Sequence, residues 1–351
     1  MTSAGARHRS RRSTAGSATS PSACRCRPTT DEVSNPCDST SVKWTPSPGD
    51  DRSSPGPSTT APSHESFIET QYRNQVMKQA PPLPHAPADL GTYRFGEFQD
   101  NAAELDRLVA QATVGWNIER HVLDRRGIRR ATDILDLACG PGAVTLKMTE
   151  LAPDAKITGV DLNPTLLDRA KRDGFRHGSK TRFVQADCHR LPFEDDCFDF
   201  VYARFLFQHL ADPVTALSEA RRVLRPGGSL LVVDVDDRDL RIDPPLAEFD
   251  EFTRMASIFQ ARNGGDRHIG RRLPDLMKSC GFQSIEGGRL EVTSDDIGLE
   301  NCWNITTRFK LELMPPERHH AIRQRLDAML LEICEQRSRI TAGVHEVMGA
   351  A

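Results

Sequence analysis

The sequence predicts an α/β fold, a doubly wound and mostly parallel sheet with helices on both faces. Two observations carry that prediction. Between residues 134 and 235 five short apolar runs recur, separated by stretches with the pattern and length of a single helix. The runs are also nearly continuous rather than alternating, as strands buried on both faces must be. Such crossovers are right-handed and leave their strands parallel.

In chain order, Leu105, Leu108, Val109, Ala112 and Trp116 fall at helical spacing within 102–126. ILDLA (134–138) reads as a buried strand, and Gly140-Pro141-Gly142 as the tight turn that ends it. A helix to about 151 follows. ITGVD (157–161) is the second strand. Asn163-Pro164 then supplies an N-cap and a proline at the first helical position, predicting a helix over 164–173. FVQAD (183–187) and FDFVYARF (198–205) are strands three and four. Asp212-Pro213 opens the next helix with the same signal, and Pro226-Gly227-Gly228 is read as its stop before strand five, SLLVVDV (229–235). Beyond 236 the pattern loosens: helices near 245–261, 270–280 and 315–336, strands near 282–292, and a closing strand over 338–348.

The 351 residues are 38% hydrophobic and 27% charged, as in a globular protein, but the average conceals a divided chain. Residues 1–64 contain Met1, Val33 and Val42 but no Leu, Ile or Phe. Such a stretch buries too little apolar surface to offset a backbone entropy of about 1–2 kcal/mol per residue. Residues 1–88 are therefore expected to be a disordered Ser/Thr/Pro-rich tail and linker. Residues 89–351 would form the folded domain, with a ligand-binding half over about 100–236. The net charge of −3 argues against a nucleic-acid partner. No apolar run approaches the ~20 residues that span a bilayer, and a soluble, cytoplasmic protein is expected. The alternative is organellar import, because the first 30 residues hold six Arg and no acid. No metal site is expected: Cys24, Cys26 and Cys37 lack a second ligand pair, and Cys139, Cys188 and Cys197 read as reduced thiols.

In a doubly wound sheet ligands bind at the carboxyl ends of the strands, near the point where strand order reverses. Asp136 lies in the first strand, while Asp161 and Asp187 close the second and third. Gly140 and Gly142 allow close backbone approach, and the helix after them offers unpaired N–H groups to an anion. Asp161, about 20 residues past the turn, is placed to accept from two ribose hydroxyls. Asp187 is placed to accept from an adenine amine. A carboxylate, a vicinal diol and a purine amine are all present in S-adenosyl-L-methionine. Asp136 either contacts that ligand through water or only fixes the loop, and Asp199 is read as structural.

ILDLACGPG, VDLNP, FVQADCHRLPFEDDCFDFVYARF and VLRPGGSLLVVD, in this order and at these separations, resemble the motifs of class I methyltransferases. The resemblance is strongest to small-molecule members of the ubiquinone/menaquinone C-methyltransferase type, and covers about residues 100–236. It implies a seven-stranded Rossmann-like sheet with a helical substrate cap, S-adenosyl-L-methionine as cofactor and a small-molecule methyl acceptor. It also implies site roles. Gly140, Ala138 and Pro141 would line the methionine part, Asp161 the ribose and Leu162 the adenine. Asp187 would meet the adenine amine and the Cys188 backbone a ring nitrogen. Arg204 would lie near the sulfonium through its backbone, although its long side chain departs from the small polar residue common there.

His209, in FLFQHL, is the candidate general base, and His268 a poorer one. Phe205, Phe207 and Trp303 could shape an acceptor pocket built by the N-terminal helix, the insertion after strand five and the C-terminal helix. A nicotinamide dehydrogenase would need Gly or Ala where Thr145 stands. A polyamine synthase would need an acid where Ala203-Arg204-Phe205 stands. A cofactor-binding regulator without turnover is the alternative of a different class.

Overall fold

The computed structural model describes residues 45–46, 92–93, 95–96, 98 and 100–351. The expected tail therefore falls outside the described residues, apart from a two-residue strand, β1 (Thr45–Pro46). The remaining strands are β2 (Asp133–Leu137), β3 (Lys156–Asp161), β4 (Arg182–Gln185), β5 (Phe198–Arg204), β6 (Leu224–Val235), β7 (Arg241–Asp243), β8 (Gln283–Thr293) and β9 (Arg339–Ala350). They form one sheet in the order β1-β8-β9-β6-β5-β2-β3-β4, with β7 pairing to β9. The five strands from β6 across to β4 run parallel, and β9 and β8 add antiparallel pairs. This is the expected doubly wound α/β sheet, with seven principal strands and two short additions.

Among the described residues ten α-helices accompany it: α1 (Asn101–Val114), α2 (Trp116–Arg125), α3 (Ala143–Leu151), α4 (Pro164–Arg176), α5 (Pro213–Val223), α6 (Ala247–Arg262), α7 (Leu273–Ser279), α8 (Ser294–Ile297), α9 (Leu299–Thr306) and α10 (His319–Gln336). The capping signals act as the sequence suggests. The Asn163 side chain accepts from the N–H groups of Thr165 and Leu166, and Asp212 from that of Thr215, each before a proline at the helix start. The single helix expected over 102–126 is two, α1 and α2, parted at Gly115.

Alternate residues on each strand enter different cores, as the two-residue period requires. Leu135, Leu137, Val201, Ala203, Leu230 and Val232 pack with α5 and α7 on one face. Ile134, Phe200, Tyr202, Leu231 and Val233 pack with α1, α2 and α3 on the other. A third core joins Phe249, Phe252 and Phe259 of α6 to Trp303 of α9 and Ile322, Leu326 and Met329 of α10. Phe207 and Trp303 are fully buried in the first and third cores, so neither shapes a pocket. Pro226-Gly227-Gly228 also differs from expectation. It lies inside β6, which begins directly after α5 and carries a register shift opposite Phe198/Phe200.

The chain crosses from β4 to β5 on the far side of β2, so the crevice opens where β2 and β5 end. Both strands leave the sheet through a non-glycine residue in left-handed backbone, Ala138 (φ 62°) and Phe205 (φ 51°). Each costs about 1–2 kcal/mol. Strain of this kind concentrates at ligand sites.

The two glycines of the turn have different reasons. At Gly140 (φ 55°) an added Cβ would meet nothing within 4 Å, whereas at Gly142 (φ 74°) it would lie 2.7 Å from the Ala170 Cβ and 3.0 Å from the Phe183 ring. Gly140→Ala is expected to cost about 1–2 kcal/mol, from backbone strain alone. Gly142→Ala adds overpacking and should cost about 2–4 kcal/mol in urea melts. Equal losses would show that Gly142 does not hold α3 and α4 together.

Candidate cofactor and acceptor site

A cavity of about 400 Å3 occupies the crevice. Of the residues singled out for the site in the sequence, Asp136, Ala138, Gly140, Pro141, Asp161, Leu162, Asp187, Cys188, Arg204, Phe205 and His209 line it. Gly142 does not; its absent side chain faces Ala170 and Phe183 instead.

Asp161 ends β3 with both carboxylate oxygens engaged. Oδ2 accepts from the Gly140 N–H and Oδ1 from the Asn163 N–H, each at 2.8 Å. Burial raises its pKa, against these backbone donors. Each oxygen keeps a second lone pair for a ligand. Asp187 Oδ1 accepts from the N–H of His189 (2.9 Å) and meets its Nδ1 (2.8 Å). Among the described residues Asp187, Cys188 and His189 are the one His/Cys/acid group compact enough for a metal. The imidazole is already engaged, its Nε2 lying 3.1 Å from the Asp212 carbonyl, and burial pushes the Cys188 thiol up to about 12. We assign no metal there.

Beneath the turn Asp136 is 2% exposed and accepts from the Thr145 hydroxyl at 2.5 Å through Oδ2. Its Oδ1 has no hydrogen-bond partner among the described residues. Burial pushes its pKa up to about 7. Beside it Tyr202 donates to Glu119, which pairs with Arg204 Nε at 2.9 Å. The Arg204 side chain thus faces this cluster, and its guanidinium stacks over Phe205 at 4.5 Å.

His209 sits on the far wall, its Nδ1 2.9 Å from Thr92 Oγ1 and 3.4 Å from Gln260 Nε2. Burial, with the charges of Arg267 and Arg107, pushes its pKa down to about 3. The ring is neutral and a poor base, since proton abstraction works best with a pKa near the working pH. Burial and the two cationic neighbours argue against His209 as the general base. His268 bonds Asp236 and lies outside the cavity. Asp199 accepts from the N–H groups of Thr132 and Asp133, a structural role.

Sequence reasoning missed the ionic cluster behind the far wall. Arg267 makes a bidentate pair with Asp237 (2.7 and 2.9 Å), and the fully buried Lys310 adds a third bond at 2.8 Å. Burial would raise the Asp237 pKa, but the two cations hold it down to about 2. Burial pushes Lys310 down to about 8. These partners lie 30 and 73 residues apart in the chain, beyond the reach of any local signal.

Two outcomes follow. Asp237→Asn strands two cations in a dry site and should cost about 3–5 kcal/mol in urea melts, whereas Lys310→Met leaves the Arg267–Asp237 pair whole and should change stability by about 1 kcal/mol or less. Asp136 binds its proton more tightly folded than unfolded, so its contribution to stability is present below pH ~4 and is lost as pH rises through about 7. The stability of Asp136→Asn relative to the parent should therefore rise across that window. A flat difference would mean that the carboxyl is not desolvated.

Residues 135–232 match the methyltransferase domain family. Over 185 residues the chain is 34% identical to an uncharacterized 37.1 kDa protein in a transposon of Streptomyces fradiae, covering 52% of each chain. Over 141 residues it is 42% identical to the demethylmenaquinone methyltransferase of Thermus thermophilus, covering 40% of this chain and 63% of that one. The chain thus spans between half and two thirds of these relatives. Among solved structures it is similar to a phosphoethanolamine N-methyltransferase of Haemonchus contortus in complex with S-adenosyl-L-methionine, at 18% identity and a TM-score of 0.48, over 74% of this chain and 60% of that one. The ordered motifs, the strand order and the family match identify residues 135–232 as a methyltransferase domain of the class I type.

Proposed function

We propose that the protein transfers a methyl group from S-adenosyl-L-methionine to a small-molecule acceptor. The observation that carries this reading is the set of acids and the open glycine turn on one cavity wall. The residues present fit the cofactor. A Cβ at Gly140 would project into open space, so the turn leaves room there for a ligand. Asp136 Oδ1, which makes no hydrogen bond among the described residues and opens onto the cavity, suits an ammonium group. Asp161 retains lone pairs for a ribose diol and Asp187 is 39% exposed at its side chain, available to an adenine amine.

The cofactor, when bound, supplies a methyl carbon already activated by its sulfonium. The chain's own contribution is to hold, orient and exclude water. Gly140 and the first turn of α3 would receive the methionine carboxylate, and Asp136 its amine. Leu162, at the cavity edge and 42% exposed, would be covered by the adenine. Holding an acceptor in line at near-attack distance supplies much of the catalysis of such a displacement. The alternative, a regulator that binds cofactor without turnover, shares all of these contacts, and product formation separates the two.

Asp161→Ala removes an acceptor of charge-assisted bonds worth about 1–2 kcal/mol to the ligand. Affinity for S-adenosyl-L-homocysteine in calorimetric titration should fall about tenfold or more. Unchanged affinity would remove Asp161 from the site. Labelled-methyl transfer into fractionated small-molecule extract, read by mass spectrometry, tests turnover directly.

A further inference from the structure

A second cavity, of about 120 Å3, adjoins the first. Gln111, Arg204, Phe205, Gln208 and Phe309 stand in the walls of both. Beyond that junction the lining is mostly hydrocarbon, including Ile118, Val122, Val233, Leu290 and Val344. The C-terminal helix α10, expected to help build the acceptor pocket, has no residue in this lining.

Among the described residues three arginines reach these walls, and their commitments differ. Arg107 is locked onto both oxygens of Glu104 at 2.7 Å, and Arg267 onto both of Asp237. Arg204 Nε lies 2.9 Å from Glu119 Oε2 as an ion pair but makes no hydrogen bond, and Nη2 makes one long bond to the Gln111 carbonyl at 3.4 Å. A guanidinium carries five N–H donors. Among the described residues the Arg204 Nη1 group makes no hydrogen bond, so donors remain at the meeting point of a polar cavity and an apolar one. The charged and titratable groups around it are Glu119 from α2, Tyr202 from β5, Asp136 from β2 and Arg107 from α1, with His209 and the Asp237–Arg267 pair on the far wall. Tyr202 spends its hydroxyl on Glu119, and Glu119 is already paired. No strong base faces the junction from His209, and an adjacent cation offers another way to generate a nucleophile, by favouring the ionised acceptor.

Resting on the methyl-transfer reading, we propose that the acceptor is an apolar molecule bearing an acidic hydroxyl, phenol or enol, whose hydrocarbon body fills the second cavity and whose oxygen is bound as an anion by Arg204. The hydroxyl proton leaves to solvent on binding. The oxygen lone pair forms the new O–CH3 bond while the methyl–sulfur bond breaks, its electron pair staying on sulfur as a neutral thioether. Arg204 is then an acceptor-binding residue that sets both specificity and the ionisation of the nucleophile.

The probe is 4-nitrophenol, whose phenolate form is read by its visible absorbance, added to the full-length protein saturated with S-adenosyl-L-homocysteine. The bound phenol should ionise at a pH lower than the free phenol by about one unit or more, the scale of one adjacent cation. Arg204→Gln should abolish that shift and Arg204→Lys keep part of it. Because Arg204→Gln leaves Glu119 uncompensated, the double variant Glu119→Gln/Arg204→Gln is measured beside it and should also lack the shift. A phenol that binds in its neutral form, a shift that survives in the double variant, or no binding to the S-adenosyl-L-homocysteine complex would each overturn the assignment. Failure of the parent protein to bind S-adenosyl-L-homocysteine would instead sink the methyl-transfer reading itself.

Discussion

The Asp161 carboxylate ties together three pieces of chain that would otherwise end separately: the close of β3, the glycine turn after β2, and the start of α4. It does so with two backbone hydrogen bonds of 2.8 Å, one from Gly140 and one from Asn163. The parallel register that brings Leu137 opposite Val160 delivers the two strand ends side by side, and the bond from Cys139 N–H to the Val160 carbonyl extends the pairing by one step. From there the chain must turn through Ala138, Gly140 and Gly142, all in left-handed backbone. Hydrogen bonds to a charged group are worth about 1.5–3 kcal/mol, enough to offset strain of the size that Ala138 carries. The mouth of the cavity is thus held by the same carboxylate whose remaining lone pairs the proposed function assigns to a ribose diol. On that reading, stability of the turn and affinity for the diol are functions of one group.

Around that anchor the protein buries charge in places where hydrocarbon would be cheaper. Asp136, Glu119, Asp237 and Lys310 are each less than a tenth exposed. Buried ion pairs seldom add net stability, so their persistence calls for another reason. Their positions supply one, because Asp136, Glu119 and Asp237 all line one of the two adjoining cavities. In a dry wall each charge acts at a higher effective strength than it would in water. The same desolvation lowers the proton affinity of His209, while His189, the other imidazole among the described lining residues, is held between Asp187 and the Asp212 carbonyl.

How much of this can be read in the chain follows from the range of the interactions. The parallel half is legible because its signals are local: apolar runs mark β2, β3, β5 and β6, and Asn163-Pro164 and Asp212-Pro213 mark helix starts with the side-chain bonds that make them. Most of the residues marked for the site line one cavity for the same reason, since strand ends in register, and the turns that leave them, place them together. Gly140 and Gly142 look alike in sequence, and only the approach of Ala170 and Phe183 separates their roles. Helix α9 is eight residues long with no side-chain cap, so neither of its ends is announced. Pro226-Gly227-Gly228 reads as a helix stop, yet α5 has already ended at Val223 and the trio forms an irregular opening to β6. His209 fails in another way: its identity is local but its proton affinity depends on arginines 102 and 58 positions distant along the chain.

Arg204 illustrates how a remote contact can still obey a local rule. Tyr202 and Arg204 are two residues apart on β5, so their side chains leave the sheet on one face. That face is covered by α2, where Glu119 presents one carboxylate to both: Oε1 to the tyrosine hydroxyl and Oε2 to the guanidinium. The tyrosine lies deep in the core and is fully buried, while the arginine lies one pleat nearer the strand end, with its side chain 15% exposed. Glu119 therefore acts as a fixed post against which the last side chain of β5 is aimed. Because the post stands on α2 and the strand belongs to the central sheet, the cation at the junction of the cavities is positioned by the shared scaffold. The insertion after β6 supplies only part of the walls around it. Variation in that insertion can reshape the apolar cavity without moving the charge.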